Sequence, residues 1–226
     1  MHADQARRIT PFNCSNDRTR GSASLPRNFF GLSILLLCAS LVILSYRSWK
    51  GAETKSTVEL QRLKRIPDFA LVDQDARTFG LDNLKGKIWV ADFVCTRCPE
   101  PYPVMSSHFA ELDRNFEKSD ALNLVTFTTD PDYDIPTVLK RYANQFEASA
   151  RWHFLTGDKQ QIVDLITTGF RVQTQRPGTG SDYLRTTTFV LVDGDGMIRS
   201  YYDGSSLEVV QRLLTDLGSL LRGSAK

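Results

Sequence analysis

From Phe29 to Tyr46 the chain runs eighteen residues without a charge, FFGLSILLLCASLVILSY, and nowhere else does it stay apolar for so long. As a helix this stretch rises about 27 Å, enough for a hydrocarbon core of ~30 Å with aromatic residues at the interfaces. A cleavable signal sequence is the rival reading. The run is long for one, however, and Arg47-Ser-Trp-Lys50 follows it in place of a small-x-small cleavage site. The pattern predicts an uncleaved transmembrane helix over 29–46, a basic tail over 1–28 and a charged juxtamembrane spacer over 47–66 with helical tendency in Val58–Leu63.

After Pro67 the apolar positions fall into shorter periods. Phe69–Val72 reads as a strand, Asp73–Ala76 as a turn, and Leu81–Gly86 as a helical turn ended by glycine. Ile88–Val94 is apolar almost throughout, as a central strand buried on both faces requires. Val104, Met105, Phe109, Leu112 and Phe116 then recur at helical spacing, with Pro101 or Pro103 near the first turn. Leu122–Thr129 is a second buried strand, Pro136–Phe146 a helix, Trp152–Leu155 a strand and Lys159–Thr168 a helix. A polar loop, Gln173–Asp182, precedes Thr187–Val192 and Met197–Tyr202, two strands flanking the hairpin turn Asp193-Gly-Asp-Gly196. Leu207, Val210, Leu214, Leu217 and Leu221 give the last helix one apolar face. This order, βαβ then ββα, predicts an α/β, thioredoxin-like fold over 67–226: a central mixed sheet flanked by helices.

Charge narrows the range of partners. The chain has 28 basic and 26 acidic side chains, and five of the arginines sit in the first 28 residues. The remainder is close to neutral and lacks the basic stripe of a nucleic-acid-binding domain. Arg18, Arg20 and Arg27 precede the apolar run and Arg47, Lys50 and Lys55 follow it, so the positive-inside rule leaves the orientation open. Cys14 lies in the tail and Cys38 in the apolar run, which leaves Cys95 and Cys98 as the large domain's only thiols. One even pair suits an oxidising compartment.

Cys95-Thr96-Arg97-Cys98-Pro99 closes the Ile88–Val94 strand and precedes a helix. Two thiols at this spacing can exchange a disulfide or hold a soft ion such as Cu(I). The alternative is that both merely pack at the end of a strand. A cysteine at the start of a helix would gain thiolate character from the unpaired N–H groups there.

The surrounding residues resemble a known family. Leu84-Lys-Gly-Lys-Ile-Trp-Val-Ala-Asp-Phe93, Cys98-Pro99, Pro103-Val-Met-Ser106, Asp130-Pro-Asp-Tyr-Asp134, Trp152-His-Phe-Leu-Thr-Gly-Asp158 and Phe189-Val-Leu-Val-Asp193 are similar, in the same order, to the Sco/SenC proteins. The resemblance implies a membrane-anchored, thioredoxin-fold assembly factor that helps build the copper centre of cytochrome c oxidase. It further implies the oxidase subunit carrying that centre as partner, and a domain on the periplasmic side of the cytoplasmic membrane. The family's copper site is a CPxxCP motif plus a distant histidine. Cys98-Pro99 matches its first cysteine, while the second falls on Tyr102 and the histidine on Arg185. Cys95 is an addition to the pattern, and with Cys98 it makes a candidate redox pair or a candidate two-thiolate Cu(I) site.

Neighbouring residues have simpler readings beside functional ones. Arg97 and Arg185 would favour a thiolate if they reach the sulfur, and Tyr102 can donate a hydrogen bond to Cys98. Arg185 pairing with Asp182 and Tyr102 covering the core are the plainer alternatives. His108 is ten residues beyond Cys98 along a helix, and His153 lies in a strand, so both read as packing or surface residues. Asp130-Pro-Asp-Tyr-Asp134 reads as the cap of the helix at Pro136 in preference to a hard-cation site. Thr186-Thr-Thr-Phe189 has no proline where thioredoxin-type reductases place one. Three functions follow: a copper-handling oxidase assembly factor, a thiol–disulfide oxidoreductase, and a partner-binding relative without chemistry.

Overall fold

The structure is a computed structural model in which residues 38–43, 60–116, 122–175 and 184–223 are described. The chain divides into two units, Met1–Ser56 and Thr57–Lys226. In the first, residues 38–43 are helical and exposed, and the rest of the predicted anchor lies outside the described residues. Among the described residues no helix is long and apolar enough to cross a membrane.

Among the described residues, the second unit is built on one eight-stranded sheet. Its strands are β1 (Lys64–Arg65), β2 (Ala70–Asp73), β3 (Thr78–Gly80), β4 (Ile88–Val94), β5 (Leu122–Thr128), β6 (Trp152–Thr156), β7 (Thr188–Val192) and β8 (Met197–Asp203), in the spatial order β1-β8-β7-β4-β5-β6-β2-β3. The helices are α1 (Tyr102–Asn115), α2 (Pro136–Gln145), α3 (Lys159–Asp164) and α4 (Val209–Gly223). β4, β5 and β6 are parallel, while β7 runs antiparallel to β4 on its other side. β4 is buried at all seven positions, yet its side chains still alternate. Ile88, Val90 and Val94 join Phe109, Leu139, Leu213 and Leu217 of α1, α2 and α4. Trp89, Ala91 and Phe93 meet Phe127, Ile162, Ile166 and Phe170 on the opposite face. Each such large side chain contributes roughly 1.5–3 kcal/mol through burial.

Several elements differ from the sequence pattern. β1 lies in the stretch read as a spacer, where Lys64 and Arg65 pair with Ile198 and Met197, and Ile66 beside them is buried. β3 was not predicted, because three residues carry too little periodicity. The helix expected over Lys159–Thr168 changes after Asp164 into a π-helical turn, Leu165–Gly169. In α4 the inward face is Val209, Val210, Leu213, Leu217 and Leu220, and Leu207 is 89% exposed. Leu207 precedes the first turn of the helix, so the helical period does not apply to it.

The sheet topology positions the functional end. β4 and β5 run parallel and in register from Ile88↔Leu122 to Val94↔Thr128, so they finish side by side. The Thr129 amide donates to the Val94 carbonyl at 2.7 Å, which holds the two following loops against one another. Cys95 opens one loop and Asp130 the other.

Candidate functional site

Cys95 and Cys98 are joined by a disulfide, their Cα atoms 5.3 Å apart. The turn between them is closed by the Cys98 amide donating to the Cys95 carbonyl at 3.1 Å. The two sulfurs sit in different surroundings. Cys95 is fully buried, in the same apolar cluster as Val94, Tyr102 and Met105, whereas Cys98 is partly exposed at its edge. Cys98 does not start a helix: α1 begins at Tyr102, with Pro101 as its N-cap residue. Pro99 and Pro101 disfavour helical backbone in the residues before them, which displaces the helix from the thiol. A helix terminus acts within about one turn, so the stabilisation expected for Cys98 is not built in as read.

Asp130–Asp134 is where sequence reasoning missed most. No side chain caps α2, and the N-cap position falls on Ile135. Asp134 turns instead to the cysteine loop. It accepts from the Thr96 amide at 3.2 Å, from the Thr96 hydroxyl, and from the Thr128 hydroxyl at 2.5 Å. Burial pushes its pKa up, and the Thr128 and Thr96 hydrogen bonds pull in the other direction. Asp130 lies with one carboxylate oxygen 4.0 Å from Cys95 Sγ, and the same oxygen accepts from Arg97 Nε at 2.7 Å. Arg97 therefore spends its charge on a carboxylate rather than on sulfur, and its guanidinium stacks 4.6 Å from the centre of the Tyr133 ring. Asp132 pairs with Lys159. All three carboxylates are thus engaged by protein groups, and among the described residues no cluster of His, Cys, Asp or Glu is suited to a metal. Asp-Pro spacing signals a cap, and contacts reaching back 33–38 residues leave no local signature.

Tyr102 and Arg185 meet the same loop. The Tyr102 side chain is buried and its hydroxyl donates to the Leu184 carbonyl at 3.4 Å. Arg185 Nη2 donates to the Glu100 carbonyl at 3.0 Å, while its backbone exchanges two hydrogen bonds with Gln175. Asp182, the alternative partner considered for Arg185, lies outside the described residues. His108 and His153, read from the sequence as packing or surface residues, do not join this end. His108 Nδ1 lies 2.8 Å from the Gly204 carbonyl, and His153 packs against Phe79 with ring centres 4.4 Å apart. Burial lowers the His153 pKa.

Below the site, Asp92 sits in β4 opposite Thr126, fully buried and with no hydrogen-bond partner on either carboxyl oxygen. Burial pushes its pKa up to about 7. The Thr126 hydroxyl accepts from Trp152 Nε1 at 2.7 Å.

A profile of the SCO1/SenC family matches residues 58–221. The chain belongs to the SCO1/SenC family. Among solved Sco structures, the Bacillus anthracis SCO1/SenC family lipoprotein is 32% identical, with a TM-score of 0.64 over 70% of this chain and 95% of that one. BsSco, for which a disulfide switch is described, belongs to the Sco family of cytochrome c oxidase assembly proteins. It is 28% identical, with a TM-score of 0.61 over 71% of this chain and 98% of that one. Copper-bound ScoI of Bradyrhizobium japonicum is 25% identical, with a TM-score of 0.58 over 70% and 99%. These likenesses establish the thioredoxin-like fold.

Sco proteins thus include copper binders, and the donors of this chain can be weighed against that. Two sulfurs are spent on each other; by the resemblance drawn from the sequence, the Tyr102 phenol stands where the family has its second cysteine and the Arg185 guanidinium where it has its histidine. A guanidinium carries no free lone pair for Cu(I), and a buried phenol is a hard, protonated donor. The residues do not fit a Cys–Cys–His copper site.

Proposed function

We propose that this Sco protein acts in the biogenesis of a respiratory oxidase as a thiol–disulfide exchange factor, working through Cys95 and Cys98. The observation that carries the reading is the disulfide itself, which joins the partly exposed Cys98 to Cys95 in the core. In the reduced state the pair gives two electrons and two protons to a partner's disulfide, which becomes a dithiol as Cys95 and Cys98 close. Cysteines of an oxidase subunit that must be reduced before receiving copper are the substrate class. Anchoring to the cytoplasmic membrane through 29–46, with the domain on the periplasmic side, is part of the proposal. It is supported by the uncharged run Phe29–Tyr46 and by the membrane setting implied by the family.

The test is the reduction potential of the Cys95–Cys98 couple in the full-length chain, beside a Cu(I) titration of the reduced protein. A potential of about −120 to −270 mV, the range of exchange catalysts, is expected. A potential below about −300 mV would mark a structural disulfide and sink the reading. Stoichiometric Cu(I) binding that vanishes in Cys95→Ser or Cys98→Ser would replace it with copper transfer between two thiolates.

A further inference from the structure

The two sulfurs of the disulfide are unequal, and the inequality has a direction. Thiol–disulfide exchange proceeds in line: the incoming thiolate, the sulfur it attacks and the sulfur that leaves lie close to one axis. To attack Cys95, a thiolate would have to arrive from the side opposite Cys98. Cys95 is fully buried, sharing its apolar cluster with Val94, Tyr102 and Met105. To attack Cys98, it arrives from solvent, because that residue is partly exposed.

Charge sorts the sulfurs the same way. The Asp130 carboxylate, itself only 4% exposed, stands 4.0 Å from Cys95 Sγ. An anionic nucleophile is repelled there, in a setting where burial weakens solvent screening. Arg97 holds that carboxylate in place from the solvent side, its own side chain 54% exposed.

We infer that Cys98 is the sulfur that exchanges with the partner and Cys95 the one that resolves, an order fixed by burial and by the carboxylate of Asp130. This inference rests on the exchange reading above. In the reducing direction the Cys98 thiolate attacks one sulfur of the partner's disulfide. That S–S bond breaks, and its electron pair goes to the partner's second sulfur, which takes a proton from solvent. Cys95 then gives its proton to solvent and attacks Cys98. The mixed disulfide breaks, its electron pair goes to the partner's first sulfur, and that sulfur takes up a proton. Asp130 is a positioning residue in this scheme: it bars approach to Cys95 without touching the partner.

The experiment uses the reduced full-length chain with Cys14 and Cys38 replaced by serine, so that each further variant carries one thiol of the pair. Oxidised glutathione is the probe, and mixed-disulfide formation is followed by mass. Cys95→Ser, which leaves Cys98, is expected to react at least about tenfold faster than Cys98→Ser, which leaves Cys95. Adding Asp130→Asn to Cys98→Ser is expected to raise the Cys95 rate severalfold. The same change added to Cys95→Ser leaves the Cys98 rate unaltered, a split that a merely structural role would not produce. Cys95→Ala is the second variant, since it buries no hydroxyl, and near-UV circular dichroism confirms the fold of each. Rates within twofold of each other, or a faster Cys95, overturn the assigned order while leaving exchange itself intact. No reaction at either sulfur overturns the exchange reading, and the order with it.

Discussion

Two buried aspartate–arginine clusters lie near opposite ends of α1, and they are built to opposite purposes. In its last turn, Asp113 accepts from the Ser149 amide, the Ser149 hydroxyl and Arg151 Nη2 at 2.7–2.9 Å. Arg151 also donates to the Asp113 and Phe116 carbonyls, and its side chain is only 15% exposed. At the other end, Asp130 is equally buried, but Arg97 reaches it through one nitrogen and is otherwise open, lying over the exposed Tyr133. The first cluster is closed on itself and joins the end of α1 to the loop before β6. The second leaves a carboxylate facing a disulfide sulfur and its cation facing solvent. The same kind of ion pair is a fastener where its donors are used within the protein, and part of the proposed exchange site where one side is left open.

The sharpest way to break this comparison is to remove the two arginines in parallel. Arg151→Ala strands a buried carboxylate, and is expected to cost about 3–5 kcal/mol in urea denaturation while leaving exchange at Cys98 unchanged in the folded protein. If Arg151→Ala costs nothing, the closed cluster is not a fastener. Next in size is Asp92, the buried carboxyl with no partner. Its pKa of about 7, against 3.8 in the unfolded chain, means that the folded state holds a proton the unfolded state releases. Its contribution is therefore fully present below the unfolded value and declines as pH rises, until the loss is complete above about 7. Asp92→Asn is expected to match the parent near pH 4 and to exceed it by roughly 2–4 kcal/mol at pH 8. A difference that does not vary with pH would contradict this. The smallest effect is expected of Arg97→Ala. It costs about 1–3 kcal/mol by leaving the buried Asp130 carboxylate without its cation, and slows decay of the Cys98–glutathione mixed disulfide about two- to tenfold, because the uncovered Asp130 charge opposes the Cys95 thiolate.

What the sequence disclosed follows physical range. β4, β5 and α2 were legible because a buried strand or an amphipathic helix writes its pattern into consecutive residues. β4 emerges over Ile88–Val94 and α2 from Pro136, as the pattern predicts. β1 was not legible: a two-residue edge strand is defined only by its partner, more than 130 residues away. The site divides in the same manner. The spacing of Cys95 and Cys98 announced a pair that lies within bonding reach, and the positions of Tyr102 and Arg185 marked where the family pattern is altered. Asp130 and Asp134 stayed hidden, because a carboxylate before proline caps a helix by default and only the alignment of β4 with β5 redirects both to the cysteine loop.

Tyr102 and Arg185 have a consequence of a different kind. A site closed by a metal is joined only while the metal is there, so its shape reports supply. Here the Tyr102 hydroxyl and the Arg185 guanidinium bind the Glu100–Tyr102 segment to Leu184–Arg185 with hydrogen bonds of the chain's own. That join is constitutive. On the exchange reading proposed above, it leaves the redox state of Cys95 and Cys98 as the variable a partner would read.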